Sequence, residues 1–457
     1  MKKELYFNRR EFLKVTGVTA AAASAALYGC SPKRERSGDV GPVPTDKMTY
    51  RYFPSLGDKV SLLGYGCMRW PTMPNPEGQG MVINQEVVNE LIDYAIAHGV
   101  NYFDTAPPYV MGQSERATGI ALKRHPREKF FLATKMSNFS NPSFDAALAM
   151  YKNSFEQLQV DYFDYYLLHV LGTVGGPRGL ETRFLDNGLL DFLLNEREAG
   201  RIRHLGWSFH GTIEGFDQAL ALHEKVHWDF VQIQLNYSDW ENATGNNVNA
   251  SYLYEELTKR NIPVVVMEPL LGGRLSNLPV HIVTRLKEQN PDGSAASWAF
   301  RYAGSHENVF TVLSGMTYME HLQDNIRTYS PFEPLNEEQK EFLYETAKLM
   351  RQYPTIPCND CDYCMPCPYG IDIPGILLHY NKCVNDGNVP KNNADKNYRK
   401  ARRAYLVSYD RSVEKIRQAD HCTGCKQCID ECPQKINIPV ELRKLNKFIE
   451  QLKQETL

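Results

Sequence analysis

Eight short runs rich in Val, Tyr, Phe and Leu alternate with amphipathic helical stretches between about residues 48 and 330. These runs mostly lack polar alternation, which is typical of parallel strands buried on both faces. No glycine-rich dinucleotide fingerprint opens the series, so the pattern predicts a (β/α)8 barrel, with a doubly wound sheet as the alternative. The predicted strands are Leu62–Met68, Asn101–Ala106, Phe130–Lys135, Asp164–His169, His204–Phe209, Phe230–Asn236, Pro263–Pro269 and Asn308–Gly315.

Two further β-rich segments lie ahead of the first predicted barrel strand. Tyr50–Phe53 and Val60–Leu63 lie on either side of a turn at Gly57 and Asp58. Two such segments around a glycine-containing turn predict a hairpin. We expect this hairpin to plug the bottom of the barrel.

Four polar residues lie at or just after the C-terminal ends of predicted strands, where barrels of this class carry their active sites. Asp104 ends the second strand and Tyr109 follows five residues later, while Lys135 and His169 end the third and fourth. Each residue alone has an ordinary structural explanation, such as a helix cap or a solvated amine. Four of them at one rim indicate a catalytic site.

Together, these four residues have the chemistry that carbonyl reduction requires. A carbonyl that accepts hydride needs a proton, and tyrosine can donate one, although its pKa of about 10 makes it slow at neutral pH. A nearby ammonium lowers that pKa and a carboxylate holds the ammonium. We therefore expect Tyr109 to be the acid/base, Lys135 its tuner, Asp104 the anchor of Lys135, and His169 the group that orients the carbonyl oxygen.

The segments that carry these residues resemble the aldo/keto reductase family from about Tyr50 to Ser330. The matching segments are Asn101–Tyr109, Gln113–Glu115, Ala133–Lys135 and Leu167–His169. The resemblance implies hydride transfer between a nicotinamide cofactor, NADP or NAD, and a small-molecule carbonyl or alcohol substrate. It also implies cofactor contacts: Ser208 and Gln232 at the carboxamide, Gly272, Gly273 and Arg274 at the diphosphate, and Asp324 and Asn325 near the adenine.

Two positions depart from the family pattern. Met267 stands where the family usually has a tyrosine stacked on the nicotinamide, and Ser314-Gly315-Met316 lacks the usual cation for a 2′-phosphate. The preference between NADP and NAD is therefore open. His210, Trp70 and Trp240 are candidates for the substrate pocket, with plain packing as the alternative.

Two cysteine runs dominate the C-terminal hundred residues. The second run is C-x2-C-x2-C-x3-C-P, the spacing of [4Fe–4S] ligands, and the first differs by one shorter gap. Zinc and disulfides explain the spacing less well. Two runs predict two [4Fe–4S] clusters, each with three cysteines of one run and the fourth of the other: Cys358, Cys361, Cys364 and Cys432 for one cluster, and Cys422, Cys425, Cys428 and Cys367 for the other.

The residues between the two runs have helical periodicity, and each run continues into an amphipathic helical stretch. This module resembles the α-helical dicluster ferredoxins that relay electrons in larger oxidoreductases. Cys383 lies outside both runs and is expected to be buried. A redox partner protein is accordingly an expected partner.

The N-terminus predicts export. Asn8-Arg9-Arg10-Glu11-Phe12 precedes an alanine-rich apolar stretch and resembles a twin-arginine signal, whose machinery transports folded proteins. Leu27-Tyr28-Gly29-Cys30 resembles a lipoprotein processing site, so anchoring through Cys30 on the outer side of the inner membrane, or a periplasmic location, is expected. The net charge of -3 gives no indication of a nucleic-acid partner.

The sequence therefore predicts a (β/α)8 barrel followed by a small α-helical dicluster ferredoxin-like domain. We expect an exported oxidoreductase that interconverts an alcohol and an aldehyde or ketone. We interpret the substrate as sugar-derived, and we expect the clusters to relay electrons. The alternatives are an electron-transfer protein that uses the barrel as a binding scaffold, and clusters that are purely structural. The expected segments are a signal over 1–30, linkers over 31–47 and 331–352, the barrel over 48–330, and the cysteine-rich module over 353–457.

Overall fold

The computed structural model describes residues 42–172, 176–245 and 247–457. The predicted twin-arginine segment, Cys30 and most of the first predicted linker lie outside the described residues. Among the described residues, no helix is both long and apolar enough to span a membrane.

Eight parallel strands close into a barrel. Closure confirms the predicted (β/α)8 barrel and rules out the doubly wound sheet. Each predicted barrel run contains a strand, with ends that shift by a few residues. The strands are β1 Tyr50–Tyr52, β2 Lys59–Ser61, β3 Leu63–Gly66, β4 Thr72–Pro74, β5 Met81–Ile83, β6 Tyr102–Asp104, β7 Phe131–Met136, β8 Phe163–Leu171, β9 Ile202–Phe209, β10 Phe230–Gln234, β11 Val264–Met267 and β12 Val309–Ser314. Around the barrel they follow the order β10-β11-β12-β3-β6-β7-β8-β9.

Amphipathic helices surround the barrel and bury one face against it. Several begin at side-chain caps; Asn84, for example, accepts a hydrogen bond from the backbone N–H of Val87. The helices of nine or more residues are α1 Gln85–Ala97, α2 Ser114–Leu122, α3 Phe144–Leu158, α4 Leu189–Glu198, α5 Ile213–Ala221, α6 Ala250–Lys259, α7 Val280–Gln289, α8 Ala295–Gly304, α9 Met319–Thr328, α10 Glu337–Met350, α11 Ile373–Asn385, α12 Tyr398–Ser412 and α13 Ile438–Gln454.

The predicted hairpin is present and closes one end of the barrel. Strand β1 pairs antiparallel with β2, with Tyr50 opposite Ser61. Leu56 and Val60 from the hairpin are buried in the same cluster as Tyr165 and Phe310 from the barrel strands. The apolar side chains of the hairpin therefore fill the bottom of the barrel interior, as the sequence predicted.

Asp58, next to the hairpin turn, ties this plug to the barrel wall. Its carboxylate accepts hydrogen bonds from the Tyr165 hydroxyl at 2.8 Å and from Arg203 at 2.6 Å, and lies 3.1 Å from Nε2 of His204. Burial by itself would raise the pKa of Asp58, but the hydrogen bonds from His204, Arg203 and Tyr165 outweigh burial and lower it. The ionised carboxylate is therefore the form that holds the plug.

The C-terminal residues form a helical unit with its own small core. Helices α11, α12 and α13 bury Ile376, Tyr405, Tyr409, Leu442 and Ile449 against one another. Helix α10 leads into this unit from within the predicted linker. The predicted helical character of this part of the chain is confirmed, whereas its likeness to dicluster ferredoxins stays a prediction.

We predict that Asp58→Ala lowers the free energy of unfolding by about 2–4 kcal/mol, because it leaves the buried Tyr165 hydroxyl and part of Arg203 without a partner. Since the folded-state pKa of Asp58 is lowered, its contribution is present above the unfolded-state pKa of about 3.9 and is lost as the pH falls through the folded-state value. Urea unfolding at neutral and acidic pH measures both effects.

The control for this prediction is Asp93→Ala. Asp93 pairs with Arg124 and His125 at the protein surface, where its side chain is 37% exposed. That variant should lose less than about 1 kcal/mol. Equal losses for the two variants would contradict the anchoring role of Asp58.

Candidate functional site

Asp104 and Lys135 form a buried ion pair at the carboxyl ends of two adjacent barrel strands. Asp104 ends β6, and Lys135 is the penultimate residue of β7. The Lys135 ammonium donates to Asp104 Oδ1 at 2.5 Å and to the carbonyl of Thr105 at 2.8 Å. Burial lowers the pKa of Lys135 and raises that of Asp104, while each partner opposes the shift of the other.

Tyr109 begins a four-residue turn after β6, in which Val110 and Met111 have positive φ, and it lies over this pair. The Lys135 Nζ is 5.0 Å from the centre of the Tyr109 ring. Burial raises the pKa of Tyr109 well above its ordinary value, and the charge of Asp104 adds to the rise. The phenol is therefore held in its protonated form, and the lowering of its pKa by Lys135 stays a prediction.

His169 lies within β8, which extends two residues beyond the predicted strand end. Its Nδ1 is 2.6 Å from the Ser137 hydroxyl, and its ring meets the Tyr109 ring edge-on at 5.8 Å. Burial lowers the pKa of His169 well below its ordinary value, and the charges of Lys135 and Arg183 lower it further. The imidazole is therefore neutral, and the structure brings all four predicted catalytic residues together.

A cavity of about 400 Å³ opens beside this group. Asp104 and Tyr109 line it, together with residues from the ends of β3, β10, β11 and β12 and from helix α9. Of the seven predicted cofactor contacts, five line the cavity: Gln232, Gly272, Gly273, Asp324 and Asn325.

Gln232 carries the clearest sign of a missing partner. Its side chain is 3% exposed, its Nε2 is 3.5 Å from the Met267 sulfur, and its Oε1 has no hydrogen-bond partner in the described structure. A buried amide oxygen without a donor costs free energy. A ligand group that carries N–H, such as a carboxamide, would fit this position.

The two remaining predicted contacts, Ser208 and Arg274, do not line the cavity. The Ser208 hydroxyl accepts the backbone N–H of Val170 at 2.9 Å, because β8 and β9 lie side by side there. Arg274 points instead toward Asn359, whose Oδ1 is 3.5 Å from its Nη1. Their roles as cofactor contacts stay predictions.

Three rim residues were candidates for the substrate pocket, and His210 is the one that lines the cavity. Trp70 is 3% exposed and its Nε1 donates to the Thr118 hydroxyl at 3.0 Å. Trp240 stacks on His306 with ring centres 4.6 Å apart. Plain packing therefore explains both tryptophans.

A five-residue segment of the first cysteine run, Asn359–Tyr363, lies across the mouth of the cavity; we call it the cysteine strap. Arg69, in the turn after β3, donates to Asp360 Oδ2 at 2.7 Å and to the carbonyls of Asp360 and Asn359 at 2.9 and 3.2 Å. The stem of Arg69 packs over Gly315, where an added Cβ would meet it at 3.1 Å.

The strap reaches the turn after β11 as well. Asn359 Nδ2 donates to Glu268 Oε2 at 2.5 Å. The backbone of Asn359 lies so close to Gly272 that an added Cβ would stand 1.9 Å from its carbonyl oxygen, and Gly272 has a φ of +65°. Only glycine fits both the conformation and the close approach.

The far end of the strap enters the cavity itself. Cys361 and Tyr363 line it together with Asp104 and Tyr109, and the Tyr363 ring meets the Phe139 ring edge-on at 6.4 Å. This contact between the cysteine run and the predicted catalytic residues could not be foreseen from the sequence, because residues so distant along the chain share no local pattern.

The fourth cysteine of each run lies near the opposite run. Burial raises the pKa of Cys358 to about 12, and the charges of Asp360 and Cys432 add to the rise. Burial likewise raises the pKa of Cys428 to about 11, with Cys425, Cys422 and Cys367 adding. Cys432 thus lies within electrostatic range of the first run, and Cys367 within range of the second.

Every cysteine between Val43 and Leu457 is free, so disulfides are ruled out for this part of the chain. Within the described residues, no group of three or more His, Cys, Asp or Glu side chains is arranged to hold a metal ion. Cys383 is buried outside both runs, 3.4 Å from His379, as predicted. Cys425 is exposed.

Comparison with known proteins gives a family match over most of the barrel: the model of the aldo/keto reductase family matches residues 62–345. An aldo-keto reductase of Mycolicibacterium smegmatis is 36% identical over 114 residues, which cover 25% of this chain and 38% of that protein. A probable aldo-keto reductase of Glycine max is 33% identical over 192 residues, which cover 40% of this chain and 50% of that protein. The chain thus spans at most about half the length of these two relatives.

Among solved structures, an aldo-keto reductase from Bacillus halodurans superposes with a TM-score of 0.52 at 23% identity, covering 65% of this chain and 96% of that one. A thermostable aldo-keto reductase, in complex with the inhibitor epalrestat, gives the same TM-score and identity. At this identity the likeness shows the barrel fold alone.

Proposed function

The chain belongs to the aldo/keto reductase family, and we propose that it interconverts an alcohol and an aldehyde or ketone by hydride transfer with a nicotinamide cofactor, NADP or NAD. The observation that carries this proposal is the convergence of Tyr109, His169 and the buried pair of Asp104 and Lys135 beside one cavity, which Asp104 and Tyr109 line. The unpartnered Oε1 of Gln232 in the same cavity supports a carboxamide-bearing cofactor. A bound nicotinamide would supply or accept the hydride.

The four side chains divide the remaining work of the reaction. Tyr109, kept protonated by burial, donates its proton to the substrate oxygen as negative charge develops there. Lys135, fixed by Asp104, stabilises the phenolate that results. His169, neutral and held at Nδ1 by Ser137, orients the same oxygen. In the reverse direction Tyr109 takes the proton back.

We also propose a polar, sugar-derived substrate. The cavity lining supports this class, because it combines His210, Glu268 and the hydroxyl-bearing Tyr363 near the catalytic residues. Several polar groups at fixed positions favour a ligand with several hydroxyls over an apolar one.

We predict that Tyr109→Phe lowers kcat by at least about 100-fold, because the proton donor is removed, while the affinity for the cofactor stays nearly the same. Steady-state kinetics with a carbonyl probe and nucleotide titration measure the two effects separately. Tyr166→Phe is the matched control, since its hydroxyl is buried without a partner in the described structure and it does not line the cavity. Retention of most activity in Tyr109→Phe would overturn its assigned role.

The second part of the proposal is that the cysteine runs bind two [4Fe–4S] clusters, with the crossed ligand sets given by the spacing. The donor chemistry fits, because each set is four thiols, and the fourth member lies near the opposite run. In a cubane each thiolate bonds a different iron, so the ligands surround a wider space than the ligands of one ion do. Because the described residues hold no group of three or more such side chains placed to bind a metal ion, the cluster proposal rests on the spacing and on the thiol donors.

When bound, the clusters would exchange single electrons, whereas hydride transfer moves two. Cys361 lines the catalytic cavity and Cys425 is exposed at the surface. The two cysteine runs therefore lead from the cavity toward a surface where a redox partner protein could dock. This arrangement favours a relay over purely structural clusters and over a barrel that serves only as a scaffold.

We predict that anaerobically prepared protein contains about eight irons per chain and that Cys425→Ser loses about half of them. Cys383→Ser is the control, since Cys383 lies outside both ligand sets, and it should keep all its iron. Iron analysis and the absorbance change on reduction measure the result. If Cys425→Ser turns over normally with an external electron carrier, the clusters are structural.

The third part of the proposal concerns location: the protein is exported through the twin-arginine machinery and anchored through Cys30. The motif at Arg9 and Arg10 supports export, and cluster insertion in the cytoplasm before export requires a pathway for folded proteins. Replacing both arginines by lysine should leave the protein in the cytoplasm, and Cys30→Ala should release it from the membrane fraction. Unchanged fractionation of both variants would contradict this part.

A further inference from the structure

The cysteine strap is fixed to the barrel rim at three places. Asp360 pairs with Arg69 after β3, Asn359 bonds Glu268 after β11, and Tyr363 packs on Phe139 after β7. These strands lie on different sides of the closed barrel. Strand β12 lies between β3 and β11, and β6 lies between β3 and β7. A segment held at all three points spans the mouth.

The strap bridges the cavity and does not fill it. Below it, the space is still lined by Tyr109 and Gln232 in the barrel centre and by Asp324 and Asn325 of α9. Asn359, Cys361 and Tyr363 line the same space from the strap. A molecule that extended from Gln232 to Asn325 would lie underneath these three residues.

The contacts between the strap and the barrel rim are charge-assisted and partly shielded from water, so they resist movement of the strap away from the rim. The guanidinium of Arg69 makes one ion pair and two hydrogen bonds to backbone carbonyls of the strap, and the side chains of Arg69 and Asp360 are only 32% and 27% exposed. Asn359 is 3% exposed and its carbonyl packs against Gly272. Charge-assisted hydrogen bonds that are partly shielded from water are stronger than those at an open surface.

We infer that the cysteine strap encloses the nicotinamide dinucleotide, so that the cofactor stays bound from one turnover to the next and leaves only when the contacts of the strap open. This inference rests on the proposed function, because it assumes that the cavity binds this cofactor. It adds a positioning role for Arg69, Asn359 and Asp360, which neither donate protons nor touch the reacting atoms.

The first arm of the test measures retention in the full-length protein. After anaerobic purification and gel filtration, we expect about one nicotinamide nucleotide per chain, measured by chromatography of the denatured extract. We then expect slow exchange of that nucleotide against an excess of added NADPH or NADH. Complete exchange within the mixing time would overturn the inference while leaving the proposed function intact.

The second arm compares two aspartates of the strap. Asp360→Gly removes the ion pair with Arg69, and glycine tolerates the φ of +55° at this position. Asp362→Gly is the matched control: its φ is +62°, and its carboxylate feels the charge of Arg69 but makes no hydrogen bond or ion pair with it in the described structure. We expect Asp360→Gly to release the nucleotide about tenfold faster, and Asp362→Gly to release it at the rate of the unaltered protein.

Iron content, measured on every sample, separates loosening of the strap from loss of a cluster. Faster release from Asp360→Gly at unchanged iron content supports the inference. Equal release rates from the two variants overturn it. If the unaltered protein neither retains nor binds any nicotinamide nucleotide, the proposed function fails together with the inference.

Discussion

The buried ion pair between Asp104 and Lys135 is the interaction on which the site depends. Removing two charges from water costs several kcal/mol per ion, and only a close partner with further hydrogen bonds offsets that cost. The two groups meet at 2.5 Å because β6 and β7 are neighbours in register, with Asp104 opposite Ala133 two residues before Lys135. Closure of the barrel excludes water from the pair, and Tyr109 packs over the ammonium that the pair fixes.

The second constraint is the contact between the C-terminal module and the barrel mouth. Cys361 and Tyr363 belong to a cysteine run, yet they line the same cavity as Asp104 and Tyr109. The proposed cluster ligand Cys361 and the proposed hydride site share this cavity, so electrons would need no separate path between them. The proposed retention of the cofactor is consistent with the proposed export, because a protein outside the cytoplasm has no replenished supply of dissociated nicotinamide cofactor.

The sequence predicted those parts of the molecule that have local patterns. Apolar runs predicted all eight barrel strands, although the run over 62–68 forms a strand only over Leu63–Gly66, since Cys67–Arg69 turn into a short 3-10 helix. The convergence of the four predicted catalytic residues could be foreseen because each lies at or near a strand end, and strand ends converge in a barrel.

Contacts between distant segments could not be predicted in this way. Arg69 and Asp360 are separated by 291 positions, and an arginine in a turn carries no sign of its partner. The resemblance to the family implies that Ser208 and Arg274 contact the cofactor, and this stays a prediction; the structure shows only that Ser208 bonds Val170 and Arg274 bonds Asn359. Gly272 did carry a usable signal, because a pair of glycines after a strand indicates a close backbone approach.

The central claim is that hydride chemistry takes place in the cavity beneath the cysteine strap, and that the strap itself carries a ligand of an iron–sulfur cluster. The most direct measurement is a crystal structure of anaerobically prepared protein, with diffraction data collected at the iron absorption edge. We expect an anomalous iron peak enclosed by Cys358, Cys361, Cys364 and Cys432, with nucleotide density in the cavity under Tyr363. Nucleotide density with no iron peak at these four cysteines, or an iron peak above a cavity that never binds nucleotide, would contradict the account.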